Sequence, residues 1–496
     1  MKRMTISFIV LVLLMGTALA AAENDHSWIE PGFYMVNNGM RQMNWGYDMT
    51  PFAQGQSTAD DGNGFFNSDV DGFDYPWFFE TRMRPHLTFY GNDRVSGHLQ
   101  LELNSVWGRE SSVGNMQFGH GYAGRLRFRQ YWVNTRLGDR LGRPIDLKIG
   151  RQDFSTMNGV IVGLPMMEGI SLRGLLPESI GSLWIGSAVV DTRSSLAIKN
   201  TWHSLKFTPK PVGRFQPVFY ASYLHINDDA VTDENYYIDP LTYNKAPHLT
   251  NGSWIMGRGA DGEPSHGVAD VFWLGAQTSG VLGAFFINAH AVVDFASFAQ
   301  GDSSIANFTT GTGLFFESSV TYDTGLFGIG PSFIFTSGHN GDQQADSYNG
   351  FLGMTPDVGF TRMFFDGAPI YNIFGHDDAS VTGSGLLALK LNTFYRIGAD
   401  TRLNATVAFL GSHKARPQMP DPDRGLVYAA EAEGSGKYYG TEFNLWLDWA
   451  PVEGVNFTAE VDAILPGSYY QGNNTNGFAT ELDTAYRILL SSQVAF

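Results

Sequence analysis

Between Tyr122 and Arg136 the chain reads YAGRLRFRQYWVNTR, and three guanidinium groups, on Arg125, Arg127 and Arg129, stand two residues apart. Residues two apart share one face of a β-strand, so this spacing builds a ladder of fixed positive charge and leaves Leu126 and Phe128 on the other face. In a soluble sheet the charges would face bulk water. In a membrane barrel the apolar face would meet lipid and the arginines would line a water-filled lumen. The chemistry open to such a row is electrostatic, since a narrow passage lined by arginine attracts anions and resists cations.

Other cations fall on the same kind of face. Arg82, Arg84 and His86 share one parity, opposite Thr81, Met83, Leu87 and Phe89. Lys148 and Asp146 face away from Ile145, Leu147 and Ile149, while Arg173 opposes Leu172 and Lys206 opposes Leu205 and Phe207. Segments close in sequence pair as neighbours, so these residues are expected along one stretch of wall. Lys390, Arg396, Arg402 and Arg487 also take the polar parity, among Glu442, Asp448, Glu460 and Asp462. The competing reading is mutual neutralisation across strands by carboxylates such as Glu80, Glu102 and Asp146, with Glu102 the expected partner of the arginine ladder.

Catalytic patterns are weak by comparison. His203-Ser204 and Ser265-His266 are adjacent pairs, which a strand points to opposite faces, so neither makes a dyad. There is no Walker motif, no dinucleotide fingerprint after a strand, no HExxH and no CxxCH. The chain has no cysteine, which removes thiolate chemistry and disulfides. We therefore expect no enzyme and no cofactor. A net charge of −17 argues against nucleic acid, whose binding needs basic surface.

The elements that must position the ladder follow from composition and period. Across 496 residues only 16 % are charged, below the roughly 25 % of soluble domains, while 14 % are aromatic and 58 residues are Gly. The N-terminus carries Lys2 and Arg3, the apolar run Ile6–Met15 and small residues through Ala22; it is expected to be a signal peptide over residues 1–22, leaving a single outer-membrane β-barrel over 23–496. Beyond it no run reaches the about 20 apolar residues of a membrane helix. Alternating segments such as VSGHLQLEL (95–103) and EFNLWLDW (442–449) recur instead. Tight turns are expected at Tyr90–Asp93, Gly138–Pro144, Pro209–Gly213, Ser279-Gly280, Asp323–Gly325, Gly398–Asp400 and Pro451–Gly454. Long polar stretches separate these hairpins. Tyr486, Ile488, Leu490, Val494 and Phe496 share a parity, as in terminal strands read by the barrel assembly machinery. Counting back from Phe496 marks seventeen segments, and parity requires one more over Pro31–Tyr47, which makes an antiparallel all-β barrel of eighteen strands, with sixteen the competing count.

The charge is unevenly distributed: residues 1–79 carry −6, residues 80–215 carry +8 and residues 216–496 carry −19. Acidic outer loops are read as solvated surface, with divalent-cation bridges to lipopolysaccharide as the functional alternative. Asp60–Gly64 and His339–Asp342 are calcium-friendly in composition only, so no metal site is expected.

Two stretches, LKIGRQDFSTMNG (147–159) continuing to Arg173, and Tyr438–Tyr470, resemble the alginate-export family of outer-membrane porins. The resemblance implies an eighteen-stranded barrel, an arginine-lined constriction and an anionic small-molecule or polysaccharide solute. It also implies a place at the constriction for Arg151, the arginine of Gly-Arg-Gln. Strict alternation from Ile149 would turn Arg151 outward, so a bulge or a strand end is expected there. The stretch Pro165–Gly169 lacks the arginine that the family carries before this glycine, a departure that bears on alginate itself. The expected function is an outer-membrane channel for anionic solutes. The alternative is a barrel that sheathes a partner such as an electron-transfer conduit.

Overall fold

A strand that faces lipid must pair every backbone N–H and C=O with a neighbour, which in a bilayer requires a sheet without edges. The computed structural model describes residues 29–45, 73–92, 94–107, 126–140, 143–156, 159–161, 166–191, 200–227, 267–300, 309–339, 346–353, 360–363, 385–414, 436–468 and 484–496. The segment expected as a signal peptide, Arg125 and the Asp60–Gly64 stretch lie outside these residues.

The strands are β1 (Ile29–Gly32, resuming as Tyr34–Trp45), β2 (Phe73–Met83, resuming as His86–Asn92), β3 (Val95–Trp107), β4 (Leu126–Arg140), β5 (Arg143–Asp153) and β6 (Met166–Arg173). They continue with β7 (Gly181–Asp191), β8 (Asn200–Pro209), β9 (Phe215–Asn227), β10 (Gly267–Leu282), β11 (Phe285–Gln300) and β12 (Thr310–Asp323). The last six are β13 (Phe327–Thr336), β14 (Leu386–Arg396), β15 (Thr401–Gly411), β16 (Tyr438–Val452), β17 (Val455–Pro466) and β18 (Ala485–Ala495). Each pairs antiparallel with the next, and β18 returns to β1 through Tyr34↔Ala495 to Met43↔Tyr486, so eighteen strands close the barrel. Phe33 and Phe496 exchange both backbone hydrogen bonds (2.7 and 3.0 Å) and bring their rings to 5.5 Å, sealing the seam with the terminal aromatic.

Inward and outward faces alternate as the sequence pattern requires. In β12 Leu314, Phe316, Val320 and Tyr322 are exposed while Phe315 is buried; in β14 Leu387, Leu389, Leu391 and Tyr395 are exposed while Leu386 and Ala388 are buried. Exposed apolar residues on a continuous sheet form the lipid-facing belt. Eight connections of two to seven residues mark one rim, and the start of β1 and the end of β18 lie on that side. With short turns on the periplasmic side, β4 runs from the outer rim toward the periplasm.

Two expected turns are displaced. Pairing of β10 with β11 continues past Ser279 and Gly280 to Leu282↔Phe285, and the chain reverses at Gly283, whose φ of 63° suits a two-residue hairpin loop. β4 runs through Gly138 to Arg140 with a register shift between Arg136 and Asp139, which leaves only residues 141–142 as the connection.

The buried cluster of this barrel lies inside its wall, because the chain between β13 and β14 contributes Tyr348, Phe351, Leu352, Phe360 and Met363 to it. These meet Trp202, Trp273, Phe315, Leu386 and Tyr439 from the inner faces of five strands.

Candidate functional site

The basic wall is built around one carboxylate. Arg84 Nε donates to Glu102 Oε2 at 2.6 Å, and Arg129 Nη1 donates to the same oxygen at 2.9 Å. Glu102 is fully buried, and the two arginines are 18 % and 13 % exposed. Two guanidiniums thus converge on one carboxylate oxygen. Arg82 sits in the ladder opposite Asn104, two residues along from Glu102, and so adds to the same face.

A bulge sets this geometry. Leu101 pairs with Phe128 and Gln100 with Gln130, so Arg129 is the extra residue. Phe128 and Tyr131, three apart, are 52 % and 39 % exposed, which uninterrupted alternation could not achieve. The bulge therefore keeps both aromatics on the outer face. Arg127 pairs with Glu102 in the ladder.

The bulge expected at Arg151 is thus one strand away. β5 and β6 pair without a register shift, and Arg151 lies between Tyr131 and Glu168, on the parity of the exposed Ile149 and Ile170. Those two neighbours share a hydrogen bond from Tyr131 Oη to the Glu168 carboxylate. Arg151 is buried against the sheet, and its Nε donates to the Arg129 carbonyl at 3.2 Å. Its place corrects the expectation from the motif: ladder parity puts Arg151 on the outer face.

Toward the periplasm the wall alternates cations with aromatic rings. Lys148 Nζ stands 4.0 Å from the centre of the Trp132 ring, which stacks with His98 at 5.2 Å. Lys206 Nζ lies 5.7 Å from the Trp184 ring, and Trp184 meets Phe154 edge-on at 6.0 Å. Arg173 pairs in register with both Asp146 and Trp184. Among the described residues no carboxylate lies within ion-pair distance of Lys148 or Lys206. An aromatic face holds an ammonium without cancelling its charge.

The opposite wall is arranged differently, because its charges hold the inward segment. Glu460 receives both Arg362 (Nε at 2.9 Å, with Nη2 on the same oxygen) and Arg487. Arg487, 2 % exposed, also donates from Nε to Asp462 at 2.9 Å. Glu442 Oε1 accepts the backbone N–H groups of Arg362 (2.9 Å) and Met363 (2.7 Å) and the Asn444 amide (2.8 Å). Lys390 Nζ donates to the Phe360 carbonyl and lies 4.5 Å over its ring. A second anchor lies across the inner surface, where Trp273 Nε1 donates to the Leu352 carbonyl at 2.7 Å and Leu352 N donates to Asp294 Oδ2 at 3.2 Å. Lys390 and Arg487 therefore serve as loop anchor and buried wall charge.

Arg396 and Arg402 stand at the periplasmic rim. Arg396 clamps Asp323 with both terminal nitrogens at 2.9 Å and donates to the Gly325 carbonyl at 2.6 Å. The anchoring residue Arg362 carries no alternation signal in sequence, since it lies in a long Gly- and Asp-rich stretch between strands.

No protein-family model matches the chain, and no curated protein matches it by sequence. By structure it is similar to Pseudomonas aeruginosa OccK3 (OpdO), at 10 % identity over 94 % of this chain and 96 % of that one, with a TM-score of 0.50. Acinetobacter baumannii OccAB2 aligns at 9 % identity over 95 % and 100 % of the two chains, again at 0.50. Pseudomonas aeruginosa OccK9 (OpdG) aligns at 10 % identity over 94 % and 98 %, also at 0.50. With the closed barrel, the apolar exterior and the partly filled lumen, these likenesses define the class: the fold is that of the bacterial outer-membrane porins. They do not single out the alginate-export barrels among porins.

Proposed function

We propose that the barrel is a passive channel for small anionic solutes, which pass between the basic wall of β2–β8 and the segment that folds inward between β13 and β14. The observation that carries this reading is the asymmetry of charge compensation. Arg84 and Arg129 share a single carboxylate, and Lys148 and Lys206 rest on aromatic rings. Cations on the other side are consumed by Glu460, Asp462, Asp323 and backbone carbonyls. In a narrowed, partly desolvated lumen a wall rich in arginine and lysine favours anions. A sheath for a partner protein is less well supported, because the chain's own Phe351, Leu352 and Met363 take up lumen space. We also assign to the acidic outer stretches divalent-cation bridges to lipopolysaccharide, and to the β18 terminus recognition by the barrel assembly machinery.

The test is the reversal potential of single channels in a salt gradient, followed by a panel of organic anions. Anion selectivity that falls when Arg84 and Arg129 are both changed to Gln supports the proposal. Cation selectivity of the unaltered protein removes it.

A further inference from the structure

The chain leaves β13 and enters β14 at one point of the outer rim, and an imidazole holds that point. Leu386 N donates to Thr336 Oγ1 at 2.8 Å, and a Cβ at Gly385 would stand 2.7 Å from Gly338 N, so the two stems of the inward segment touch backbone to backbone. Tyr439 Oη holds the second stem, donating to the Gly385 carbonyl at 3.0 Å. The first stem is held by His413, which lies beyond the end of β15: the Gly338 N–H donates to its Nδ1 at 2.9 Å.

The same stem carries the docked chain. Phe351 N donates to the Ser337 carbonyl at 2.9 Å, and Asn349 N donates to His339 Nδ1 at 3.4 Å. The His339 ring lies 5.0 Å from that of Tyr348. Residues 349–351 therefore hang on residues 337–339, and whatever frees Gly338 loosens the chain that places Tyr348, Phe351 and Leu352 in the lumen.

A bond accepted at Nδ1 requires a neutral ring with its proton on Nε2, because an imidazolium donates from both nitrogens. The surroundings of His413 keep it neutral. Burial first, then Lys414 beside it in the chain and Lys437 just before β16, push its pKa down from the ordinary imidazole value. On the β13 side it meets the Phe335 ring edge-on at 5.3 Å. Among the described residues no carboxylate lies within ion-pair distance of His413.

We propose that His413 is an acid-sensitive latch on the inward segment: a proton taken up at Nδ1 from the external medium breaks the bond to Gly338, frees the stem and widens the lumen. Docking needs the neutral ring, so its stability is complete above the pKa of the released side chain, about 6.5. It is lost as pH falls through that value and levels off below the depressed pKa of the docked ring. At pH 5.5 a released imidazole is charged about ten times as often as neutral, which moves the balance toward release about tenfold. His339 offers the same kind of acceptor at a longer distance, so its share is smaller. The inference uses the docked geometry alone and does not depend on which ions the basic wall favours.

The test uses the full-length channel, folded as judged by heat-modifiable mobility, at pH 8 and pH 5.5. Single-channel recordings in symmetric potassium chloride read the occupancy of the higher-conductance level. Hydrogen exchange of residues 346–353, corrected for the intrinsic pH dependence of exchange, reads release without requiring conduction. The unaltered protein should gain occupancy and lose protection about tenfold at pH 5.5. His413→Asn keeps an acceptor near the Nδ1 position and does not titrate, so it should change less than twofold. His413→Leu has no acceptor and should show raised occupancy and lowered protection at both pH values. An unaltered protein whose protection is the same at both pH values, or a pH response that survives in His413→Asn, overturns the latch. A barrel that does not conduct but loses protection in acid would fault the channel reading alone.

Discussion

Gly313 decides whether the inward segment can dock. A Cβ at this position would stand 2.5 Å from Phe351 Cα and 2.7 Å from the Gly350 carbonyl oxygen, and would also press on Asp294 Oδ2. Two of these neighbours are backbone, so no rotamer change relieves the overlap. The β12 backbone itself accepts any residue here, so all of the strain falls on the docked segment. Docking at this anchor rests on two hydrogen bonds to Leu352 and one from Phe351 N to the Ser337 carbonyl (2.9 Å), at about 1 kcal/mol each, and on burial of Phe351 and Leu352, at about 2 kcal/mol each, roughly 7 kcal/mol together. One added methyl overpacks by about 1–3 kcal/mol, so Gly313→Ala shifts the segment and leaves it docked. Gly313→Leu adds three more carbons into the same backbone and exceeds what the anchor holds. Single-channel recordings in symmetric potassium chloride should then show a small change for Gly313→Ala and a several-fold higher conductance for Gly313→Leu. Heat-modifiable mobility should show an intact barrel in both. Unchanged conductance in a folded Gly313→Leu barrel would refute docking of residues 346–353 against β11 and β12.

Further outcomes follow from the same geometry. Glu442→Ala removes the acceptor of two backbone N–H groups of the 360–363 segment, and should add open-channel current noise that Gly313→Leu in the same chain increases further. Glu102→Gln strips the carboxylate from between Arg84 and Arg129 and should raise the anion preference, read as a reversal potential further toward the anion limit; breaking a buried pair costs about 3–5 kcal/mol, so thermal stability in detergent should fall as well. Arg151→Ala should leave the reversal potential within error of the unaltered protein, because Arg151 has the outer parity of Ile149. A marked loss of selectivity in Arg151→Ala would place that side chain in the lumen.

Much of the barrel was legible because lipid imposes a period of two on every strand it touches. Phe496, Leu490 and Tyr486 take the outer face that their parity requires, and the strand inferred only from parity, near Pro31–Tyr47, exists as Ile29–Gly32 and Tyr34–Trp45. Glu102 was also legible as the neutraliser of the arginine ladder, since it sits one strand away on the same parity. The bulge was misplaced because the Gly-Arg-Gln motif drew attention to Arg151. The physical signal lay in Phe128 and Tyr131, two large exposed side chains an odd number of residues apart. The inward segment was not legible, since nothing periodic constrains a chain that packs through backbone groups. Trp273 and Asp294 bind main-chain atoms of Leu352, Gly313 leaves room for the backbone of residues 350–351, and their own strands read like any other. The turn at Gly283 escaped for a related reason: Ser279-Gly280 and Gly283 are both suitable breaks, and the register that separates them is set by cross-strand pairing with β9 and β11.

The central claim is that positive charge on the β2–β8 wall exceeds what its carboxylates cancel. The most direct measurement is the reversal potential of the purified full-length channel in a tenfold potassium chloride gradient, for the unaltered protein and for Arg84→Gln/Arg129→Gln. The account predicts an anion-selective potential that moves toward zero or reverses in the double variant. A cation-selective channel, or anion selectivity that the double variant leaves unchanged, would contradict it.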